Sequence, residues 1–340
     1  MTRQTTGDQT APPFPVALER SVYGLITTPV LHLALERGIL DRLLADGPLP
    51  AERIGADPDT VERLLLVLTA FEVVRRDADG SFHVPPEIVP FVDRDSPSYV
   101  GGFVNHLVTG TPGRLERLVE YLGQGKAAAD AGRPAPYEEF YRDEQSTRDF
   151  MDAMWDLSFG VSRELAALAG LDGHRRLVDV GGANGPFAVA ALQESPQLTA
   201  VVFDLTEVGP HLERTRLEQG LADRLSFVAG DFFRDDLPAG DLIAMGYVMS
   251  NWPDRECSEL LRKAHAACAP GGRVLVMERL FDDGRDGPIA TAVMNLEMQV
   301  ETRGRHRTAA EYFELLTDAG FVDPEVRRST RDKHLIIGRR

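Results

Sequence analysis

The spacing of apolar residues divides the chain into two regions that differ in secondary structure. Between residues 16 and 71 apolar residues recur every three or four positions, which predicts helices, and Ala56-Asp57-Pro58 separates the last two. The next segment, VVRRDADGSFHV, contains two short strand-like runs joined by Asp-Gly, which predicts a β-hairpin. Helices followed by such a hairpin indicate a winged-helix domain.

A long helix is predicted from about residue 146 to residue 169. The stretch before it, GQGKAAADAGRPAP, is rich in glycine, alanine and proline and predicts an exposed loop. On the long helix Phe150, Met154 and Ser158 lie four residues apart and therefore share one face. We expect this face to line a pocket.

From residue 174 onward, apolar runs of strand length alternate with helical segments. These runs read RLVDVGG, TAVVFDL, LSFVAGDFF, DLIAMGYVMS and GRVLVMERL. The alternation predicts a parallel sheet covered by helices on both faces. The last two runs, FVDPEVRRST and KHLIIGRR, have no helix between them, so they must form an antiparallel pair.

The length of 340 residues exceeds the roughly 250–300 residues that one hydrophobic core supports, so two domains are expected. We predict a disordered tail over residues 1–13, a mostly helical domain over 14–170 and a sheet domain over 171–340. Doubly wound sheets bind ligands at the carboxyl ends of their strands, so the site is expected in the third segment.

Charge and composition exclude several classes of partner. The net charge of −16 argues against nucleic acid, and the helix DTVERLLLVLTAF carries too little basic charge to read DNA. Cys257 and Cys268 have no paired spacing, so neither a disulfide framework nor a metal site is expected. The sequence shows neither a signal peptide nor an apolar run that could span a membrane, and we expect a cytoplasmic protein.

A glycine-rich turn, Gly181-Gly182-Ala183-Asn184-Gly185, follows the first strand of the second region. Its glycines let a ligand approach the backbone, but the dinucleotide pattern G-x-G-x-x-G does not fit these positions. Asp204 ends the second strand about twenty residues later, where a carboxylate can bind both ribose hydroxyls. Asp231 ends the third strand and could bond an adenine amino group while Phe232 covers the ring. The three features together indicate an adenosine-bearing ligand.

At this point a resemblance to a known family can be stated. The segments VDVGGANG, FDLTEVGP, FVAGDFF, NWPD, APGGRVLVMERL and HRTAAEYFELLTDAGF resemble, in order and spacing, the caffeate/acetylserotonin-type O-methyltransferases, which include bacterial enzymes that decorate aromatic natural products. Residues 33–84 also resemble the dimerisation domain of that family. The resemblance implies an S-adenosylmethionine cofactor, S-adenosylhomocysteine as product, a small-molecule acceptor and a homodimer. It also implies a class I methyltransferase sheet with a reversed last strand, joined to a winged-helix domain.

The family's functional residues can be carried over position by position. For the cofactor, the resemblance implies contacts from Gly181, Gly182, Gly185, Asp204, Leu205, Asp231 and Phe232, and from Ser158 to the methionyl carboxylate. For the acceptor, it implies contacts from Asn105, His106, Met154, Trp155, Asn295 and Met298. The two methionines are equally compatible with ordinary core packing.

The catalytic position departs from the resembled family. Methyl transfer from a sulfonium is a direct displacement that needs no metal, but a phenol has a pKa of about 10, so a positioned base such as histidine helps at neutral pH. The family places this histidine first in a His-Asp-Trp or His-Asn-Trp triplet. Here the triplet is Ser250-Asn251-Trp252, and a serine hydroxyl is not ionised at pH 7.

Two family positions near the base are usually acidic. Glu278 keeps its acid, whereas the second position holds His306. We therefore hypothesise that His306, oriented by Glu278 and within reach of Ser250, takes the acceptor's proton or anchors the acceptor, with His106 as a second candidate. The alternative is that His306 is a surface residue at the start of a helix.

Three enzymatic functions stay open from the sequence. The first is O-methylation of an aromatic hydroxyl, or of an enol or carboxylate acidic enough to need little help from a base. The second is C- or N-methylation, for which a missing base matters less. The third is a repurposed member in which the bound cofactor supports hydroxylation, decarboxylation or a cyclase-like rearrangement. A non-enzymatic winged-helix regulator is disfavoured by the acidic charge.

Overall fold

The structure, a computed structural model, describes residues 14–131 and 140–340. The predicted tail and most of the second half of the predicted GQGKAAADAGRPAP loop lie outside the described residues. The chain divides into two compact units, Met1–Ser96 and Pro97–Arg340. The division predicted near residue 170 differs from this one because the helices after Ser96 belong to the second unit.

The first unit is mostly helical. Its elements are α1 (Val16–Glu36), α2 (Ile39–Asp46), α3 (Pro58–Ala70), α4 (Val89–Val92) and a hairpin of β1 (Arg75–Arg76) and β2 (Phe82–His83). The predicted hairpin is therefore present. The helix predicted before Ala56 was wrong, because between Pro50 and Pro58 the chain forms only a 3-10 turn, Ala51–Arg53. Buried Leu40, Leu65 and Leu68 form part of its core.

In the described part of the second unit, three helices precede the sheet: α5 (Gly101–Gln124), α6 (Lys126–Ala129) and α7 (Glu144–Ala169). The predicted long helix is confirmed, and it begins where the Asp143 side chain accepts the Ser146 N–H at 2.8 Å. It ends at Gly170, whose φ of +62° favours glycine. Part of the predicted exposed loop is instead helical, and Ala129 is buried there.

A seven-stranded sheet forms the centre of the second unit. Its strands are β3 (Arg176–Val180), β4 (Thr199–Asp204), β5 (Leu225–Ala229), β6 (Gly240–Gly246), β7 (Cys268–Glu278), β10 (Val322–Arg327) and β11 (His334–Arg339). The order is β10-β11-β7-β6-β3-β4-β5. Strands β3 to β7 run parallel, and β11 is antiparallel to both β7 and β10. The predicted parallel sheet with a reversed last strand is confirmed.

Helices cover both faces of this sheet. The remaining helices are α8 (Pro186–Glu194), α9 (Gly209–Glu218), α10 (Asp254–Ala267), α11 (Ile289–Glu301) and α12 (Ala309–Asp318), with a short pair of strands, β8 (Leu280–Phe281) and β9 (Arg307–Thr308). One apolar core joins Leu165 of α7 to the sheet, and the other joins Leu260 of α10 to the opposite face. Among the described residues no helix is long and apolar enough to cross a membrane.

Candidate active site

A cavity of about 1220 Å³, including its open mouth, lies at the carboxyl ends of the parallel strands. Gly181, Gly182 and Asp204 line one end of it, after strands β3 and β4. Phe103, Phe150 and further apolar side chains of α5, α7 and α11 line the other. One end of the cavity therefore offers backbone and a carboxylate, and the other end offers apolar surface.

The glycine-rich turn brings bare backbone to the cavity. Gly181 and Gly185 have φ values of +65° and +86°, in the region that favours glycine. A Cβ at Gly181 would lie 2.8 Å from the Val248 side chain, and one at Gly182 would lie 2.7 Å from the Asp179 carboxyl carbon. The Val248 and Asp179 side chains therefore leave no room for a Cβ at these two positions, and contact of the turn with a ligand stays a prediction.

Asp204 connects this turn to the end of β4. One carboxylate oxygen accepts the Ala183 N–H at 2.8 Å and the other accepts the Leu205 N–H at 2.7 Å. Burial raises the pKa of Asp204 to about 6. Each oxygen keeps a second lone pair, so the carboxylate can still bind two ribose hydroxyls. The Leu205 side chain does not line the cavity, and its part in the site is its N–H.

Asp231 and Phe232 lie beside the cavity instead of lining it. The Asp231 carboxylate accepts the Phe233 N–H at 2.9 Å, which fixes its position after β5. A Cβ at Gly181 would be 3.7 Å from the Phe232 ring, so the ring borders the glycine turn. The Phe232 ring also packs edge-on against Trp252, with ring centres 6.1 Å apart. The Phe232 ring is therefore next to the turn, and adenine contacts from Asp231 and Phe232 stay a prediction.

Ser250 and Asn251 form a 3-10 turn that lines the cavity and is tightly held. The Asn251 amide donates to the Tyr247 carbonyl at 2.9 Å. Arg307, which is fully buried, donates to the carbonyls of Met249 and Trp252 and binds Asp254. The sequence pattern did not predict this role of Arg307, because it pointed only to the neighbouring His306.

The predicted pairing of Glu278 with His306 is not formed. The Glu278 carboxylate accepts the backbone N–H of Ser250 at 3.1 Å, and its other oxygen has no partner among the described residues. The His306 backbone donates to Asn295 Oδ1 at 2.9 Å, and neither ring nitrogen has a described partner. His306 is buried and lines the cavity, so it is not a surface residue. Burial, with the nearby Arg279 and Arg307 charges, lowers its pKa to about 3.

His106 also lines the cavity, and unlike His306 it contacts a carboxylate. Its Nε2 lies 3.5 Å from Glu301 Oε1 and 2.6 Å from the Arg114 guanidinium. Arg114 Nε also donates to Glu301 at 2.6 Å. Burial opposes ionisation of Glu301, but the His106 hydrogen bond and the Arg114 charge outweigh it, so the pKa of Glu301 is lowered.

The other predicted acceptor residues divide into two groups. Met154, Met298 and the proposed carboxylate-binding Ser158 all line the cavity. Asn105 does not, because it lies on the exposed face of α5. Trp155 stacks on Phe159 with ring centres 4.4 Å apart and faces a separate pocket. Asn295 contacts the His306 backbone, whose N–H its Oδ1 accepts.

The cavity-lining residues that were not predicted include Tyr247, Arg279 and Lys333. Tyr247 has a φ of +56°, which is strained for a residue with a side chain. The centre of the Tyr247 ring lies 4.9 Å from the Arg279 guanidinium carbon and 3.8 Å from Lys333 Nζ. The sequence signal that could have identified Arg279 and Lys333 is a basic residue next to an apolar run.

Comparison with known proteins agrees with this geometry. The O-methyltransferase domain matches residues 118–322. The chain is 32% identical to acetylserotonin O-methyltransferase of Rattus norvegicus, covering 94% of this chain and 75% of that protein. It is 31% identical to 3-hydroxy-5-methyl-1-naphthoate 3-O-methyltransferase of Streptomyces sahachiroi, covering 90% and 89%.

A solved structure supports the same conclusion. Human N-acetylserotonin methyltransferase in complex with SAM has a TM-score of 0.86 and 26% identity, covering 98% of this chain and 99% of that one. The glycine turn and Asp204 fit that cofactor on the geometry described above. The chain therefore belongs to the O-methyltransferase family and is an S-adenosylmethionine-dependent methyltransferase.

Proposed function

We propose that this enzyme methylates a hydroxyl oxygen of an aromatic small molecule, as part of natural-product biosynthesis. The observation that carries the proposal is the apolar, aromatic wall that continues from the glycine turn in one cavity. It is formed by Phe103, Phe140, Phe150, Met154, Leu157, Met294 and Met298. Such a wall suits a flat aromatic acceptor. Both relatives named above are O-methyltransferases, which supports oxygen as the accepting atom.

The proposed cofactor contacts follow the glycine end of the cavity. Gly181, Gly182 and Gly185 would hold the backbone side of the cofactor, and Asp204 would accept the two ribose hydroxyl protons. Ser158, which is 5% exposed, would bind the methionyl carboxylate. Asp231 and Phe232 would hold the adenine from the side.

S-adenosylmethionine supplies a methyl group on a sulfonium, and the displacement leaves the bonding electron pair on sulfur. The chain has to align the acceptor oxygen and take its proton. We assign the proton to His106, which lines the cavity. Its Nε2 accepts from the Arg114 guanidinium at 2.6 Å, so this contact must open before Nε2 takes the proton, and Glu301, 3.5 Å away, would then stabilise the charged ring. His306 is a weak base at a pKa of about 3 and has no carboxylate partner among the described residues. Ser250 and Asn251 would position the acceptor.

We also propose a homodimer in which α1, within a winged-helix domain, packs against a second copy of the chain. The α1 helix carries exposed apolar side chains at Val16, Leu18, Val22, Tyr23, Leu25 and Ile26. Light scattering at micromolar concentration tests this, and a monomer would contradict it.

The buried free thiols of Cys257 and Cys268 support a reducing compartment, the cytoplasm.

The reaction can be tested with methyl-labelled S-adenosylmethionine and a set of phenols, hydroxy-aromatic acids and aromatic amines. We expect label in a methyl ether, and His106→Asn should lower kcat about 100-fold or more with S-adenosylhomocysteine affinity unchanged. Label on nitrogen or carbon would favour the second function considered from the sequence. A new product formed while all label stays on the cofactor would favour the repurposed enzyme.

A further inference from the structure

Lys333 places its ammonium in the cavity from the turn just before β11. It is only 2% exposed, and its side chain lines the same cavity as Ser250. A Cβ at Gly246 would lie 3.1 Å from Lys333 Nζ. The missing side chain at the end of β6 therefore leaves the space that the ammonium uses.

Two other hydrogen-bond donors lie around Lys333. The Tyr247 ring is 3.8 Å from Nζ, and the Tyr247 hydroxyl is buried without a partner among the described residues. His306, with both ring nitrogens unpartnered, lines the cavity as well. Arg279 lines the same cavity, with its guanidinium carbon 4.9 Å from the centre of the Tyr247 ring.

The protonation of these groups suits an anion. Burial raises the pKa of Tyr247, so its hydroxyl keeps its proton, and burial leaves His306 neutral with one N–H. Burial lowers the pKa of Lys333 to about 8, so most of it stays charged at pH 7. A buried charge of this kind is costly unless a ligand or a residue pairs with it.

The acidic side chains near Lys333 are either paired with another residue or have raised pKa values. Asp332 is paired with Arg279 at 2.7 Å. Burial raises the pKa of Asp179 to about 7 and also raises the pKa of Glu278. Burial therefore favours the neutral forms of these two carboxyls, which leaves less negative charge to pair with Lys333.

We propose that Lys333, with the Tyr247 hydroxyl and the His306 N–H, binds an anionic substituent of the acceptor. This inference rests on the proposed function and narrows its substrate class to hydroxylated aromatic acids, whose carboxylate lies at Lys333 and whose ring lies against the apolar wall. The carboxylate of the cofactor has the same chemistry and is the other possible source of the anion. The acceptor is the source proposed, because the proposed function assigns the cofactor carboxylate to Ser158.

The test compares 3-hydroxy-2-naphthoate with 2-naphthol, which share the ring and the hydroxyl and differ in the carboxylate. Each compound is titrated calorimetrically into the full-length protein, in whichever oligomeric state it has, after saturation with S-adenosylhomocysteine. We expect the wild type to bind the naphthoate about 10- to 100-fold more tightly than the naphthol. Lys333→Met should remove this preference and leave naphthol binding within about twofold.

Two further variants and one further ligand complete the design. Lys333→Arg should keep part of the preference because it keeps the charge, and circular dichroism checks that both variants fold. S-adenosylhomocysteine affinity should be unchanged in Lys333→Met. A wild type that binds both probes equally, or neither, would overturn the inference, as would a Lys333→Met variant that loses only cofactor affinity. Absence of S-adenosylhomocysteine binding to the wild type would instead overturn the proposed function.

Discussion

The two ends of the cavity are built in different ways. The end proposed for the cofactor is lined by one backbone turn and by Asp204, which lies only 21 positions after the Ala183 N–H it accepts. At the acceptor end the side chains come from α5, α7, α11 and the turn before β11. The first end is therefore a local feature of the sequence, and the second depends on how distant segments pack.

This difference predicts which substitutions affect which ligand, and the largest effect should come from Asp204→Ala. Loss of two hydrogen bonds to a charged group should weaken S-adenosylhomocysteine binding about 100- to 10,000-fold. Isothermal titration measures this. Glu207→Ala is the control, because Glu207 is a nearby exposed acid and should matter less than about twofold. An Asp204→Ala affinity within threefold of wild type would contradict the account.

The next largest effect concerns the turn that joins the two ends. Arg307→Met removes a fully buried guanidinium that holds the Met249 and Trp252 carbonyls and leaves those groups unpaired. We expect the free energy of unfolding to fall by about 3–5 kcal/mol, measured by urea denaturation. Arg303→Met is the matched control, since Arg303 is exposed and has only a 3.5 Å ion pair with Glu256 and a 5.1 Å contact with the Trp252 ring among the described residues, and its cost should stay below about 1 kcal/mol. Equal costs for the two arginines would be evidence against the clamp.

A smaller effect should appear in the pH dependence of stability. The pKa of Asp179 is raised by burial from 3.8 to about 7, so the folded state holds its proton more tightly than the unfolded state. Stability from this group is present below pH 4 and is lost as pH rises toward 7. Between about pH 5 and about pH 8, Asp179→Asn should lose about 3 kcal/mol less stability than the wild type.

Urea denaturation at the two pH values measures this difference. Asp204, whose pKa is raised to about 6, titrates in the same range and is present in both proteins, so its own contribution cancels. Its coupling with Asp179 does not cancel, because the Asp204 charge is one cause of the raised pKa of Asp179. Parallel losses of stability in wild type and variant would show that Asp179 is already ionised in the folded protein at low pH.

The smallest effect is predicted for His306→Asn. One neutral hydrogen bond to the acceptor would be lost, so KM for a hydroxylated aromatic acid should rise less than about tenfold. The kcat should stay within about twofold, because His306 is not the proposed base. Steady-state kinetics separates the two constants, and a 100-fold fall in kcat would restore the mechanism first expected from the sequence.

The sequence predicted the sheet, its reversed last strand, the long helix and the glycine turn, because each depends on a local pattern. The turn is specified by glycines whose φ values only glycine adopts easily. Asp204 was identified because strand ends in a parallel sheet meet at one edge. These predictions needed no knowledge of distant contacts.

The acceptor end could not be predicted in the same way. The choice between His306 and His106 depended on which histidine contacts a carboxylate, and Glu301 is 195 positions away from His106. Lys333 enters the cavity only because Gly246, on another strand, leaves space for it. Asn105 was predicted to contact the acceptor, but it is exposed, because its position in a helical pattern does not show which face of α5 is in solvent.

The central claim, transfer of a methyl group to oxygen at the apolar end of this cavity, is tested most directly by nuclear magnetic resonance. The enzyme is incubated with ¹³C-methyl S-adenosylmethionine and 3-hydroxy-2-naphthoate, and the position of the label in the product is read from its chemical shift. The account predicts a methyl ether at the ring hydroxyl. Label on a ring carbon, or label that stays on the cofactor with every hydroxy-aromatic acid supplied, would contradict it.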